Sequence, residues 1–188
     1  AIFFLFAFQN FDAYRKSRMV TESDRREDLT GALREIEDLL LREQREEAIP
    51  KLEEVREKAK EGMIFNLTTQ YLAALKAEKH EYQAVYNLLK PIQKHLNAES
   101  QIHLHRAAYE VKDYSLVMDL AGPSYQILPD PHIALSSAEA CAALGKVEPA
   151  IGWLKAAQKG GIDDLSSILS KDVFDPIREN PAFKKLNP

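Results

Sequence analysis

A short pattern recurs four times along this chain and constrains its fold more than any other feature. In each instance a turn is followed by a small or β-branched residue, and then by apolar residues at helical spacing. The small positions are Ala48, Val85, Val117 and Ala150, which are separated by 37, 32 and 33 residues. A period of about 34 residues is typical of helical hairpins, each of which needs a neighbour to bury its apolar face.

The composition agrees with helix throughout. Long stretches are rich in Ala, Leu, Glu, Lys and Gln, which are strong helix formers. Alternating runs bounded by tight turns, the main signal for strands, are almost absent. Apolar residues make up 45% of the chain and charged residues 29%, as in globular proteins and unlike disordered ones. The sequence therefore predicts an all-α fold.

The fourth instance of the pattern is the clearest. Ala138 and Ala150 stand where small residues let the two helices of a hairpin approach closely. Gly145 stands at the turn between them, where glycine takes a positive φ without steric cost. Asp130-Pro131 opens the unit as an N-cap followed by a first-turn proline. With these residues the unit resembles a tetratricopeptide repeat, and the resemblance implies a solenoid of about four hairpins.

The earlier units depart from that family pattern. The third has Lys112-Asp113 at the turn, and the first two also lack the turn glycine. Prolines at 50, 91 and 123 fall inside or late in second helices, where a proline removes a backbone hydrogen bond and kinks the helix. These departures predict an irregular superhelix.

Four segments follow from this reading: a membrane-proximal apolar helix at 1–19, a charged connector at 20–31, the repeats at 32–162 and a C-terminal cap at 163–188. We expect the cap to be a capping helix, with Phe174, Ile177 and Phe183 packed on the fourth hairpin. Its Phe-Asp-x-Ile-Arg motif before Pro-x-Phe is similar to tails that follow tetratricopeptide arrays in many bacterial proteins. This similarity suggests a bacterial source.

The first segment predicts attachment to a membrane. Eight apolar residues without a charge precede a basic cluster, and the side chains that carry this reading are Phe3, Phe4, Phe6, Phe8, Arg15, Lys16 and Arg18. The run is too short to cross a bilayer, which takes about 20 residues. Because no initiator methionine is present, we expect a fragment that begins near the end of a transmembrane helix. The positive-inside rule then places the repeats on the cytoplasmic side, the inner-membrane face in a bacterium.

Three other readings of this segment stay open. A signal peptide would carry its positive charges before the apolar run, and an interfacial amphipathic helix would need a polar face before Gln9. A plain apolar helix docked on its own core, or on a second copy of the chain, would make the protein simply cytoplasmic.

The charged stretch that follows contains one amphipathic stripe. Leucine or isoleucine occupies positions 29, 33, 36, 39 and 40, the spacing of one helical face. The stripe does not keep a strict heptad, which disfavours the alternative of a coiled coil. Glutamates 43, 46 and 47 stand at helical spacing from Lys51 and are expected to pair with it locally.

No residue pattern predicts catalysis, a metal site or a cofactor. Of the five histidines, His103 and His105 point about 200° apart on a helix, and no HExxH, CxxC or glycine-rich phosphate loop is present. Cys141 cannot form an internal disulfide, and we expect it to be a small core residue. The net charge of −4 gives no reason to expect nucleic acid.

The family resemblance implies that a partner binds the concave face, which the first helix of each hairpin lines. Here that face is expected to include Gln70, Ala74, Ile102, Arg106, Tyr109, Glu110, His132, Leu135 and Glu139. The chaperone-binding subgroup holds a C-terminal carboxylate in a clamp of Lys, Arg and Asn. The matching places hold Leu33, Glu37, Gln70 and Ala74, so that clamp is absent.

Three functions are compatible with the sequence. The leading hypothesis is a membrane-tethered scaffold that binds a protein, peptide or helix in the groove. The second is a regulatory or substrate-docking domain of a membrane enzyme, similar to bacterial intramembrane proteases of the site-2 or rhomboid type, whose catalytic residues would lie before Ala1. The third is self-assembly, a homo-oligomer formed through residues 1–40.

Overall fold

The structure, a computed structural model, describes residues 20–186. Residues 1–19, with the predicted apolar helix and its basic flank, lie outside the described range. Eleven α-helices and no strands occur within 20–186, as the sequence predicts. The helices are α1 Glu27–Leu41, α2 Arg45–Ala59, α3 Gly62–Glu78, α4 Tyr82–Leu89, α5 Ala98–Glu110, α6 Tyr114–Ile127, α7 Pro131–Ala143, α8 Val147–Lys159, α9 Leu165–Leu169, α10 Asp175–Arg178 and α11 Pro181–Lys184. Short 3₁₀ helices occupy Ser23–Arg25, Lys90–His95 and Asp172–Phe174.

Consecutive helices pack on one another within two compact units. The first unit runs to His80 and includes Leu88–Leu96, and the second comprises Glu81–Asn87 and the residues from Asn97 onward. In the first unit α2 packs between α1 and α3. In the second, α5 packs on α6, α6 on α7, and α7 on α8, and α5 also contacts α7. This consecutive packing is consistent with a helical solenoid.

The four turns of the repeat have the same backbone geometry, although three of them lack glycine. Glu43, His80, Lys112 and Gly145 all have positive φ, between 57° and 68°. Each lies five residues before one of the four small positions, all of which are fully buried. In the first, third and fourth turns the residue after it donates its N–H to a carbonyl five residues back, at 2.8–2.9 Å. This is the Schellman motif, which ends a helix and satisfies its last carbonyls.

The first helix begins inside the stretch expected to be a connector. Leu29, in the first turn of α1, is already buried in the core. The 3₁₀ helix before it is hydrogen-bonded to the start of α3. Its Asp24 accepts the N–H groups of Met63 and Ile64 at 3.0 and 2.9 Å. Asp24 thereby caps the N-terminus of α3 from 39 residues away. A Cβ at Gly62 would lie 2.5 Å from this carboxylate, so the capping geometry requires glycine there.

The predicted local ion pairs of Lys51 are wrong. Its ammonium lies 2.7 Å from Glu35 on α1, while Glu46 pairs with Lys79 at 3.0 Å. Packing of neighbouring helices brings these partners within reach, so Lys51 pairs with a residue of another helix and not with a glutamate at helical spacing. The exposed pairs contribute little to stability.

The prolines act in two ways. Pro50 and Pro123 lie inside α2 and α6, which continue through them. Pro91 lies where α4 has already ended at Leu89, within a 3₁₀ helix in which Ile92 has a non-helical φ of −107° and ψ of 19°. The second repeat therefore has the shortest second helix of the four.

Three short helices and a 3₁₀ turn replace the single capping helix that was expected. Gly161 ends the preceding chain segment with a φ of 109°, and Pro176 and Pro181 start new helices because proline is well suited to the first turn. The expected anchors, Phe174, Ile177 and Phe183, are nonetheless buried in one core cluster with residues of α7 and α8. The rings of Phe174 and Phe183 stack at 5.5 Å.

Candidate partner-binding face

The residues predicted to bind a partner are divided between the two compact units. Gln70 belongs to the first unit and is buried, with its side-chain amide donating to the carbonyl of Asn66 at 3.1 Å. Ala74 is half-buried in the same unit. The other seven residues lie on α5 and α7 of the second unit, and we call this set the α5–α7 face: Ile102, Arg106, Tyr109, Glu110, His132, Leu135 and Glu139.

Two members of the α5–α7 face turn inward and bind each other. The Tyr109 hydroxyl donates to Oε2 of Glu139, and Lys171 donates to Oε1 at 2.7 Å. Glu139 is only 3% exposed, so these two donors replace the water that a carboxylate needs. Burial, followed by the bond to the carboxylate, raises the pKa of Tyr109. Glu139 therefore links α5, α7 and the C-terminal segment and is not available to a partner.

Arg178 fixes the segment that carries Lys171. Its guanidinium donates to the carbonyls of Leu169 and Lys171 at 2.8 and 2.9 Å, and to Asp175 at 2.6 Å. The guanidinium thus satisfies carbonyls at the end of α9. The Phe-Asp-x-Ile-Arg motif is explained by these contacts, since its apolar residues anchor the tail and its Asp–Arg pair shapes the loop before it.

A buried histidine joins α5 and α7 beside that network. His105 is 1% exposed, and its Nε2 lies 3.1 Å from Oγ of Ser137. The Ser137 hydroxyl donates to the carbonyl of Ile133 at 2.7 Å, so Nε2 must carry the proton and donate to Ser137. Burial lowers the pKa of His105 to about 4, which agrees with a neutral ring. His105 has a structural role.

The rest of the face is exposed or half-buried. Arg106 is exposed on α5, and its guanidinium carbon lies 5.2 Å from the ring centroid of Tyr82 on α4. Glu110 and His132 are exposed, and Ile102 is half-buried. Leu135 is half-buried against the C-terminal core cluster. What α5 offers a partner is thus a row at one-turn intervals, Ile102, Arg106 and Glu110.

The described residues hold no metal-binding constellation. Within 20–186 no group of three or more His, Cys, Asp or Glu side chains is placed to hold an ion. Cys141 is fully buried, and burial raises the pKa of its thiol. No helix in this same part of the chain has the length and apolar character needed to cross a bilayer.

Comparisons with known proteins leave the family open. The sequence matches no family model, no curated protein and no solved structure.

Sequence reasoning missed Tyr82, Lys171 and Arg178 as members of this region. The repeat pattern selects positions on first helices, whereas Tyr82 lies on a second helix and the other two lie in the tail. The motif around Arg178 was the available signal, and it indicated packing of the tail rather than a link to Glu139.

Proposed function

We propose that this chain is a protein-interaction scaffold of tetratricopeptide-like hairpins, and that it binds a peptide or helix on the exposed part of the α5–α7 face. The positive φ shared by the four turn residues supports the interpretation of these units as tetratricopeptide-like repeats. One observation supports the site above all: Arg106 is an exposed arginine on this face whose guanidinium lies over an aromatic ring, while the neighbouring Tyr109 and Glu139 are satisfied internally. Arginine and aromatic residues are the side chains that most often dominate protein interfaces.

Photocross-linking tests this site. A benzophenone amino acid is placed in turn at Ile102, Arg106 and His132, and at Lys155 on α8 as an exposed control in the same unit. We expect one partner to be captured from all three face positions and not from 155. The change Arg106→Glu should abolish capture from 102 and 132. Equal capture from the face and the control would refute the assignment. Tyr109→Ala is unsuitable as a probe, because it would also unpair the buried Glu139.

We further propose that residues 1–18 tether the chain to a membrane. The support is the sequence alone: an apolar run with four phenylalanines followed by three basic residues. Such segments gain affinity for anionic lipid from both burial and charge. Flotation with phosphatidylcholine vesicles, with and without phosphatidylglycerol, measures both contributions.

The full chain should float with the vesicles, and more so with the anionic lipid. Serine at positions 3, 4, 6 and 8 should abolish flotation, whereas glutamine at 15, 16 and 18 should remove only the dependence on anionic lipid. If the full chain does not bind vesicles of either lipid composition, the proposed tether is wrong. That result would not bear on the proposed binding site on the α5–α7 face.

A further inference from the structure

The Arg106 side chain has a ring contact but no hydrogen-bonding partner. Its guanidinium carbon lies over the ring of Tyr82, 5.2 Å from the centroid, and a cation held over a ring in this way loses conformational freedom before any ligand arrives. A guanidinium carries its N–H groups in a planar fork that matches a carboxylate. Within residues 20–186 the Arg106 side chain makes no hydrogen bond or ion pair.

Two carboxylates of the second unit, those of Asp113 and Glu139, are already engaged. Asp113 accepts the Tyr86 hydroxyl at 2.6 Å and the N–H of Leu116 at 3.2 Å. Glu139 is held by Tyr109 and Lys171. Neither of these two carboxylates pairs with Arg106.

Glu110 places a negative charge close to Arg106. It lies one helical turn beyond Arg106 on α5, is exposed, and forms no ion pair in the described part of the chain. The face therefore presents a cation and an anion one turn apart, about 6 Å between Cβ atoms. Ile102 continues the row in the other direction with an apolar side chain.

We infer that the partner is a peptide or helix that places an acidic side chain on Arg106 and a basic side chain, about one helical turn away, on Glu110. This inference rests on the proposed function and names the side chains of the partner that the site would recognise. The carboxylate would bind the guanidinium in bidentate geometry while Tyr82 supports it from behind. The opposite charge order in a partner would bring like charges together at both places, which selects one orientation of the bound segment.

Selection from a random peptide library displayed on phage, with the full chain as bait, tests the inference. Affinities of selected peptides are then measured by fluorescence anisotropy. We expect the peptides to share an acidic and a basic residue about one turn apart. Arg106→Gln should weaken binding about tenfold or more, as expected for loss of a charge-assisted pair. Arg42→Gln, an exposed arginine of the first unit, makes the same charge change and should alter affinity less than about twofold.

Charge reversal makes the assignment specific. Arg106→Glu should abolish binding, and exchange of the peptide's acidic residue for lysine should restore part of it. Tyr82→Phe should bind as the parent does, whereas Tyr82→Leu should weaken binding about two- to fivefold through loss of the ring.

Two negative outcomes are distinguishable. In the first, the selected peptides share no acidic residue, and their affinity falls with Ile102→Glu but does not change with Arg106→Gln. This result would overturn the inference and leave the proposed function standing. If no peptide is selected, or if Ile102→Glu and Arg106→Glu both leave binding unchanged, the inference and the proposed binding face fail together.

Discussion

Replacement of His105 by glutamine measures how strongly the fold depends on a neutral imidazole between α5 and α7. The imidazole is almost completely buried and donates from Nε2 to Ser137. A glutamine amide can donate from a similar position but does not titrate. The pH dependence of stability should therefore differ between the two proteins only through the proton that His105 takes up.

The sign and the size of this pH effect on stability follow from the pKa values of His105 in the folded and the unfolded chain. The folded protein has a pKa of about 4 for His105, against 6.5 for an ordinary histidine. Between these values the unfolded chain binds the proton and the folded chain does not, so stability falls as the pH falls. Linkage gives a loss of about 2 kcal/mol between pH 7.5 and pH 5, approaching about 3 kcal/mol below pH 4. Losses of this size are a large part of the stability of a small domain.

Urea unfolding at pH 7.5, 6.5, 5.5 and 5.0 is the assay. Trp153 lies in the same unit as His105, packed edge-on against Tyr125 at 5.4 Å, so its fluorescence reports the relevant transition. Ser137→Ala is the control, since it removes the hydrogen-bond acceptor and keeps the buried histidine. It should lower stability by about 1 kcal/mol and still show the loss at low pH. Curves for the parent and His105→Gln that stay parallel within about 0.5 kcal/mol down to pH 5 would refute the reasoning.

Three further predictions concern the shared turn position, the cap of α3 and the buried carboxylate of Glu139. At the shared turn position, Lys112→Gly should raise stability by about 0.5–1 kcal/mol and Gly145→Ala should lower it by about 1 kcal/mol, because only glycine takes a positive φ freely; thermal melts that shift in the same direction for both would contradict this. Asp24→Ala should cost about 1–2 kcal/mol through loss of the cap of α3, seen as faster amide exchange in its first turn, and unchanged exchange there would argue against the capping role. Lys171→Met should cost about 1–2 kcal/mol by leaving the buried Glu139 with one partner, and Glu139→Gln should recover most of that loss in the double variant; additive effects of the two changes would exclude the pairing.

The register of the repeat was predictable because it depends on local geometry. The number of residues between a helix-ending turn and the first buried position of the next helix is set by the helix itself. The spacing of Ala48, Val85, Val117 and Ala150 therefore located all four turns, even where glycine was missing. Glu43 and Lys112 were not recognisable as turn residues by type, since the Schellman hydrogen bonds hold them at a positive φ that their own preferences disfavour.

The candidate site was predictable only in part. The repeat pattern selected α5 and α7, and it selected Arg106, which is exposed as a binding residue must be. It could not distinguish Arg106 from Glu139, which stands six residues before its own turn just as Arg106 does. The C-terminal segment decides the difference, because Lys171 reaches Glu139 and the tail buries it.

The sequence by itself thus determined the helical class, the position of the four turns and the burial of the small residue after each turn, all of which follow from spacing along one helix. Only the tertiary structure decided which charges meet. Lys51 has carboxylates within reach on its own helix and pairs with Glu35 on another, and Asp24 caps a helix 39 residues away. Long polar side chains have several possible partners along the chain, and the packing of the helices selects one.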